Sequence, residues 1–270
     1  MTNFNIERKN YSKLTAQIAR NMVKKKILEI RTRGARAADE LIDDFVQKKQ
    51  KNNKKPSFTD EIVPIIERNR AKWRNFIIEI AGRFDAEALA TVGVNFIYGG
   101  LLTSSVGNVG WASVVTVQSG DAGRLAEILT RGRNRGSFVW ILRGNNAFSP
   151  ETLKTLRYFP EYAFLLVADR KIDEREVAGA KNILFLIKNG EKSIQKCNIP
   201  YVLVGENDPI FNFSGQGSGK RASGISPREA MRFLESPTFP VTIDSFSDSL
   251  DSVECLISGG REGHIPYYFA

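Results

Sequence analysis

The sequence is poor in the residues that hold metals and crosslinks. Its 270 residues include one histidine, His264, and two cysteines, Cys197 and Cys255, far apart in the chain. A structural zinc or an iron–sulfur cluster normally takes three or four Cys or His ligands. This chain cannot supply such a set in the usual way, so no metal site and no cofactor are expected. Two separated cysteines give no disulfide framework, and a reducing, cytoplasmic setting is the expectation. No run of about 18 apolar residues occurs, so no membrane span is expected. The polar stretch Met1 to Lys13 lacks the apolar core of a signal peptide.

What is abundant is positive charge, and it is unevenly spread. The formal net charge is +9. Residues 1–76 hold 19 Lys/Arg against 9 Asp/Glu, and the remainder holds 20 against 21. The excess therefore lies in the first quarter. That quarter reads as helices. Leu14, Ile18, Met22, Ile27 and Ile30 form a rough apolar stripe over residues 10–33, and Gly34 interrupts it. Leu41, Ile42, Phe45 and Val46 share one face of a second helix. "KKQKNNKKPS" (48–57) is a basic linker. A third helix follows, with a kink expected at Pro64 and a core face of Ile62, Ile65, Ile66, Trp73, Phe76, Ile77 and Ile80. A basic helical surface can contact phosphate backbones or acidic membranes. It can equally be an ordinary solvated face. No aromatic residues interleave the basic runs, as a single-strand-binding groove requires.

After Phe84 the pattern changes, which divides the chain into a basic helical region (1–84) and an α/β region (85–270). Apolar strand candidates at 111–118, 137–142, 162–168, 182–187, 200–204 and 240–244 alternate with helices near 121–132, 149–158, 173–179, 190–197 and 226–235. Short strands that are apolar through most of their length and separated by helices predict a parallel sheet covered by helices. Ser149-Pro150-Glu151 and Ser226-Pro227 are good helix starts, with serine as cap and proline in the first turn. Six strand–helix units in a row predict a partial barrel.

In such folds the loops after the strands carry the site. Those loops contain Gln118, Ser119 and Asp121; Arg143, Gly144, Asn145 and Asn146; Asp169 and Arg170; Lys188 and Asn189; Glu206, Asn207 and Asp208; and Asp244 and Ser245. The ligand-binding candidates among them are Arg143, Gly144, Asn145, Asn146, Asp169, Lys188 and Asp244. "FSGQGSGKRASG" (213–224) superficially resembles a phosphate-binding Walker A loop. That motif needs glycine, four residues, then Gly-Lys-Ser/Thr opening a helix. Here Ser214 replaces the first glycine, Arg221 replaces the hydroxyl residue, and the loop continues through Ala222-Ser223-Gly224. A Gly/Ser loop is the plainer reading, with Lys220 and Arg221 kept as anion-binding candidates.

The order "GRFDAEALATVGVNFIYGGLL", "WASVVTV", "SFVWILRGNNAF", "YFPEYAFLLVADRKIDEREVA", "NILFLIKNG" and "IPYVLVG" resembles the radical S-adenosylmethionine superfamily, in particular a subgroup with a helical N-terminal extension. The segment 239–265 is similar to that subgroup's later region. The resemblance covers residues 80–270 and implies a partial barrel of six strand–helix units. Active members follow the first strand with a long loop carrying CxxxCxxC, which holds a [4Fe–4S] cluster. Here Val117 is followed by Gln118-Ser119-Gly120-Asp121 and a helix. The Gly-Gly-Glu-Pro-like stretch expected after the second strand reads Arg143-Gly144-Asn145-Asn146. The resemblance thus implies a degenerate member without radical chemistry and without catalytic residues of that kind.

Three functions follow as expectations. The first is a pseudoenzyme scaffold that binds a protein partner, whether an active relative or a second copy. The second is a cluster-free enzyme, with Asp169, Asp244 or Glu206 as base and Arg143 or Lys188 holding an anionic substrate. The third is nucleic-acid or acidic-surface binding through residues 1–76. His264 and Cys197 read as ordinary surface and packing residues, and Cys255 as part of a tail.

Overall fold

The computed structural model describes residues 3–51, 58–98, 112–117, 122–135, 139–168, 172–177, 180–190, 198–211, 227–243 and 254–257. Five helices come first: α1 (Asn3–Arg33), α2 (Ala35–Lys51), α3 (Phe58–Arg68), α4 (Arg70–Arg83) and α5 (Ala86–Tyr98). Strands and helices then alternate. They are β1 (Ala112–Val117), α6 (Ala122–Arg135), β2 (Val139–Arg143), α7 (Pro150–Leu156), β3 (Ala163–Ala168), α8 (Glu174–Val177), β4 (Ile183–Lys188) and β5 (Tyr201–Val204). A 3₁₀ turn (Pro209–Phe211), α9 (Pro227–Glu235), β6 (Val241–Ile243) and β7 (Glu254–Ile257) complete the order.

The strands form one parallel sheet in the order β6-β5-β4-β3-β2-β1-β7. Six of them are the six expected from the sequence, in sequential order. β7 is additional. It pairs with β1 on the side away from β2, so Cys255 lies in a strand opposite Val115 and not in a tail. Consecutive parallel strands laid down in one direction are compatible with a partial barrel. Right-handed crossovers then place the connecting helices on one face of the sheet.

The core bears this out. On one face Val115, Val117, Trp140, Leu142, Phe164, Leu166, Phe185 and Ile187 pack with Leu125, Ile128 and Leu129 of α6 and Leu153 and Leu156 of α7. The opposite face must be covered by something other than the crossover helices. There Val139, Ile141, Leu165, Val167, Leu184, Leu186 and Val204 meet Val92 of α5 and Ile210 of the 3₁₀ turn. Both faces are dry, which is why β3 is buried at every position. Two close fits fix the helix-covered face. Gly132 of α6 lies against Trp140, and a Cβ built there would stand 2.1 Å from the indole ring. The Tyr162 hydroxyl donates to Leu129 O at 2.6 Å, joining the start of β3 to α6.

The first helices pack by their apolar stripes, with two departures from the sequence reading. Ile27 and Ile30 of α1 are buried, but Ile18 and Met22 are 52% and 62% exposed. The third helix breaks at Asn69 and not at Pro64, which lies inside α3. Asn69 Nδ2 donates to Ile65 O at 2.9 Å, so its side chain takes a carbonyl at the end of α3. Between α1 and α2 the chain turns at Gly34 with φ of 57°, a left-handed conformation suited to glycine. Asp85 caps α5, its Oδ1 accepting from Glu87 N and Ala88 N at 2.9 Å each. The predicted helix at 190–197 falls largely on residues outside the description.

Candidate functional site

Side chains alternate along a strand, so parity decides which residues share a face. On β2 the residues facing α5 are Val139 and Ile141, and Arg143 continues that row. On β4 they are Leu184 and Leu186, and Lys188 continues it. On β1, Val115 and Val117 face the crossover helices, which leaves Thr116 on the α5 side. The α5-facing surface is thus apolar along most of its length and turns polar at its C-terminal rim. Thr116, Arg143 and Lys188 mark that change.

Thr116 and Arg143 are register partners on adjacent strands. Arg143 Nε donates to Thr116 Oγ1 at 2.9 Å, which fixes a half-buried guanidinium at the rim. Lys188 is exposed, and its Nζ lies 5.7 Å from the centroid of the Phe211 ring, within cation–π reach. β3 separates β2 from β4, so the two cationic residues stand on backbones roughly 10 Å apart.

The turn after β2 is tight. Gly144 has φ of 101°, and a Cβ there would stand 2.6 Å from Val117 O. Asn146 N donates to the same Val117 O at 3.0 Å, and Ala147 N to Gly144 O at 3.0 Å. The turn then closes into α7, where Ser149 Oγ accepts from Thr152 N at 3.1 Å. Gly144-Asn145-Asn146 therefore folds back over the end of β1. Its first duty is structural, and only Asn145 of the three is exposed. The turn after β4 is alike: Gly190 has φ of 96°, and Asn189 N donates to Val204 O at 2.7 Å. A Cβ at Gly190 would stand 2.7 Å from Glu206 Oε1, so that carboxylate lies against this turn. Asp208 is buried, and its Oδ1 accepts from Ile210 N at 2.8 Å, holding the 3₁₀ turn that covers the sheet.

Of the ligand-binding residues predicted from sequence, the structure brings Arg143 and Lys188 to one rim and gives Gly144, Asn145 and Asn146 a turn-forming place. Asp169, Asp244, Lys220, Arg221, His264 and Cys197 lie outside the described residues. Thr116 was not singled out by the sequence reading. Its signal was available in the alternation of β1, where a threonine sits between two inward valines. Among the described residues no group of three or more His, Cys, Asp or Glu is placed to hold a metal. No helix among them is long and apolar enough to cross a membrane.

Fold and rim together define an α/β protein with a parallel sheet whose C-terminal rim carries Thr116, Arg143 and Lys188. The chain matches no protein-family model, no curated protein and no solved structure.

Proposed function

We propose that this chain is a binding scaffold, a radical-SAM-like partial barrel that works without a cluster and without radical chemistry, and that its main partner is another protein. The observation that carries this reading is the connection after the first strand. β1 ends at Val117 and α6 begins at Ala122. Four residues cannot hold three spaced cysteines, and none of the four is a cysteine. The rim supports binding over turnover. Its hydroxyl is engaged with Arg143, its buried carboxylate, Asp208, serves a backbone N–H, and its cations are suited to holding an anion.

The protein partner is supported by α1. Ile18 and Met22 lie one helical turn apart and are largely exposed. Binding to nucleic acid through residues 1–76 is less favoured. Lys24, Lys26, Arg33, Arg70 and Arg74 each already have a carboxylate partner.

The test combines anaerobic reconstitution with iron and sulfide and crosslinking mass spectrometry of tagged protein in its native host. The expected result is no iron–sulfur absorption, no cleavage of S-adenosylmethionine, and a stoichiometric partner chain crosslinked near α1. Replacing Ile18 and Met22 by glutamate should remove that crosslink and leave the fold intact. An iron-bearing sample that cleaves S-adenosylmethionine would overturn the reading.

A further inference from the structure

The crossover from β5 to β6 carries α9, and α9 is docked on the first helices. Phe233 of α9 meets Trp73 and Phe76 of α4 edge-on, with ring centroids 5.4 Å and 5.3 Å away. Leu234 packs against the cluster of Ile42 and Val46 of α2 and Ile66 of α3. The end of α9 is capped from α4 as well. Trp73 Nε1 donates to Leu234 O at 2.9 Å. Lys72 Nζ donates to Glu235 O at 3.3 Å and to Ser236 Oγ at 3.0 Å. An indole N–H and a cation thus take carbonyls that a helix end leaves without intrahelical partners.

The tie continues up to the strand. Residues 236–240 join α9 to β6. Within them the Phe239 ring lies 5.2 Å from that of Phe84 and 5.1 Å from that of Tyr201. The Arg83 guanidinium carbon stands 4.6 Å from the Phe239 centroid. The stretch from Phe233 to Phe239 is therefore held along α4, from Lys72 in its first turn to Arg83 at its end. β6 has little hold of its own. It lies at the edge of the sheet, and its three register pairs are all to β5. Val241 is half-buried and Thr242 exposed, whereas β3 is buried at every position. Local opening is easiest where few buried apolar contacts and few shielded hydrogen bonds resist it.

We infer that α9 and β6 form one strap, fastened by α4, that opens and closes as a unit. Fastened, it completes the sheet beyond β5. Released, it bares the outer edge of β5 while α1–α5 and β1–β5 stay folded. The strap crosses the division of the chain at residue 84, so an event that loosens α4 is read out at an edge of the sheet. The device is independent of the rim and of the exposed face of α1.

The experiment is hydrogen–deuterium exchange of the full chain, read by mass spectrometry. In urea below the unfolding transition, the amides of α9 and β6 should open together, with one urea dependence and before those of β3 and β4. Lys72→Ala combined with Trp73→Phe removes both caps and keeps an aromatic ring in the seam. It should speed exchange in α9 and β6 by about fivefold or more, the loss of a part-buried hydrogen bond, and leave β3 and β4 at the parent rate. Phe233→Ala, made on α9 itself, should act on the same two elements. The inference fails if β6 keeps the parent rate while α9 accelerates, since the two are then uncoupled. It fails equally if β3 and β4 accelerate with them, or if neither element responds. The urea series needs only the parent chain, so separate opening of α9 and β6, or opening of both only with β3, overturns the inference whatever the variants do.

Discussion

Arg70 and Phe185 represent two regions of the molecule held together by different forces. Arg70 of α4 reaches Asp39 and Asp43 of α2 and Glu67 of α3, and Arg74 joins it on Asp39 at 3.2 Å. These side chains are about one-third to one-half exposed, so water competes for each of them. Phe185 of β4 is fully buried and meets Phe148 edge-on, with ring centroids 6.0 Å apart. The helices are thus assembled by narrow apolar seams laced with ion pairs, and the sheet by continuous apolar layers on both faces. The difference teaches how to read the net charge. Five cations of the first quarter, Lys24, Lys26, Arg33, Arg70 and Arg74, are matched across helix boundaries, so +9 for the chain does not describe one free basic surface.

The comparison can be broken first at the sheet. Gly132→Val drives a branched side chain into Trp140, and it should cost about 3 kcal/mol, an overpacking penalty. Urea unfolding followed by tryptophan fluorescence measures it. A cost below about 1 kcal/mol would mean that α6 can lift off the sheet, and the rigid-layer description would fail.

A smaller effect is expected from Asp39→Asn, which removes carboxylate charge shared by Arg70 and Arg74. Exposed pairs of this kind contribute about 1 kcal/mol or less, and the loss should shrink further in high salt. A loss as large as that of Gly132→Val would place the helices and the sheet in the same energetic class.

The smallest effect is a pH dependence where the two regions meet. Glu87 of α5 pairs with Lys181 at 2.9 Å and with Lys24 of α1 at 3.3 Å. The hydrogen bond from Lys181, and next that from Lys24, hold the Glu87 carboxyl below its ordinary range. The carboxylate is favoured in the folded state, so its contribution is present above the ordinary carboxylate range and is lost as pH falls through the lowered value. Glu87→Gln should therefore be less stable than the parent at neutral pH and equal to it in acid. A difference independent of pH would assign the effect to packing.

Much of the fold was legible because its signals are local. The first six strands were read to within two residues at either end, since each is an apolar run closed by a turn residue such as Gly144 or Gly190. The fourth-strand side chain Lys188 and its rim partner Arg143 were read for the same reason: each ends such a run. β7 was missed because it is only four residues long, Glu-Cys-Leu-Ile, opens on a charged residue and follows a serine-rich stretch. Its strand conformation comes from pairing with β1, a distant contact that no local pattern encodes. The break at Asn69 was missed because the apolar period runs on through it, and no glycine or proline marks the spot.

The place of β7 has a consequence for how the chain is made. Pairing Val114 with Glu254 spans more than half the sequence. Among the described strands β1 is the first to leave the ribosome, yet one of its edges stays bare until β7 is synthesised. In that interval its unpaired N–H and C=O groups offer a template to any extended segment nearby. The strand that begins the sheet is the one whose edge is completed last. Slow translation of the stretch between β6 and β7 would lengthen its exposure.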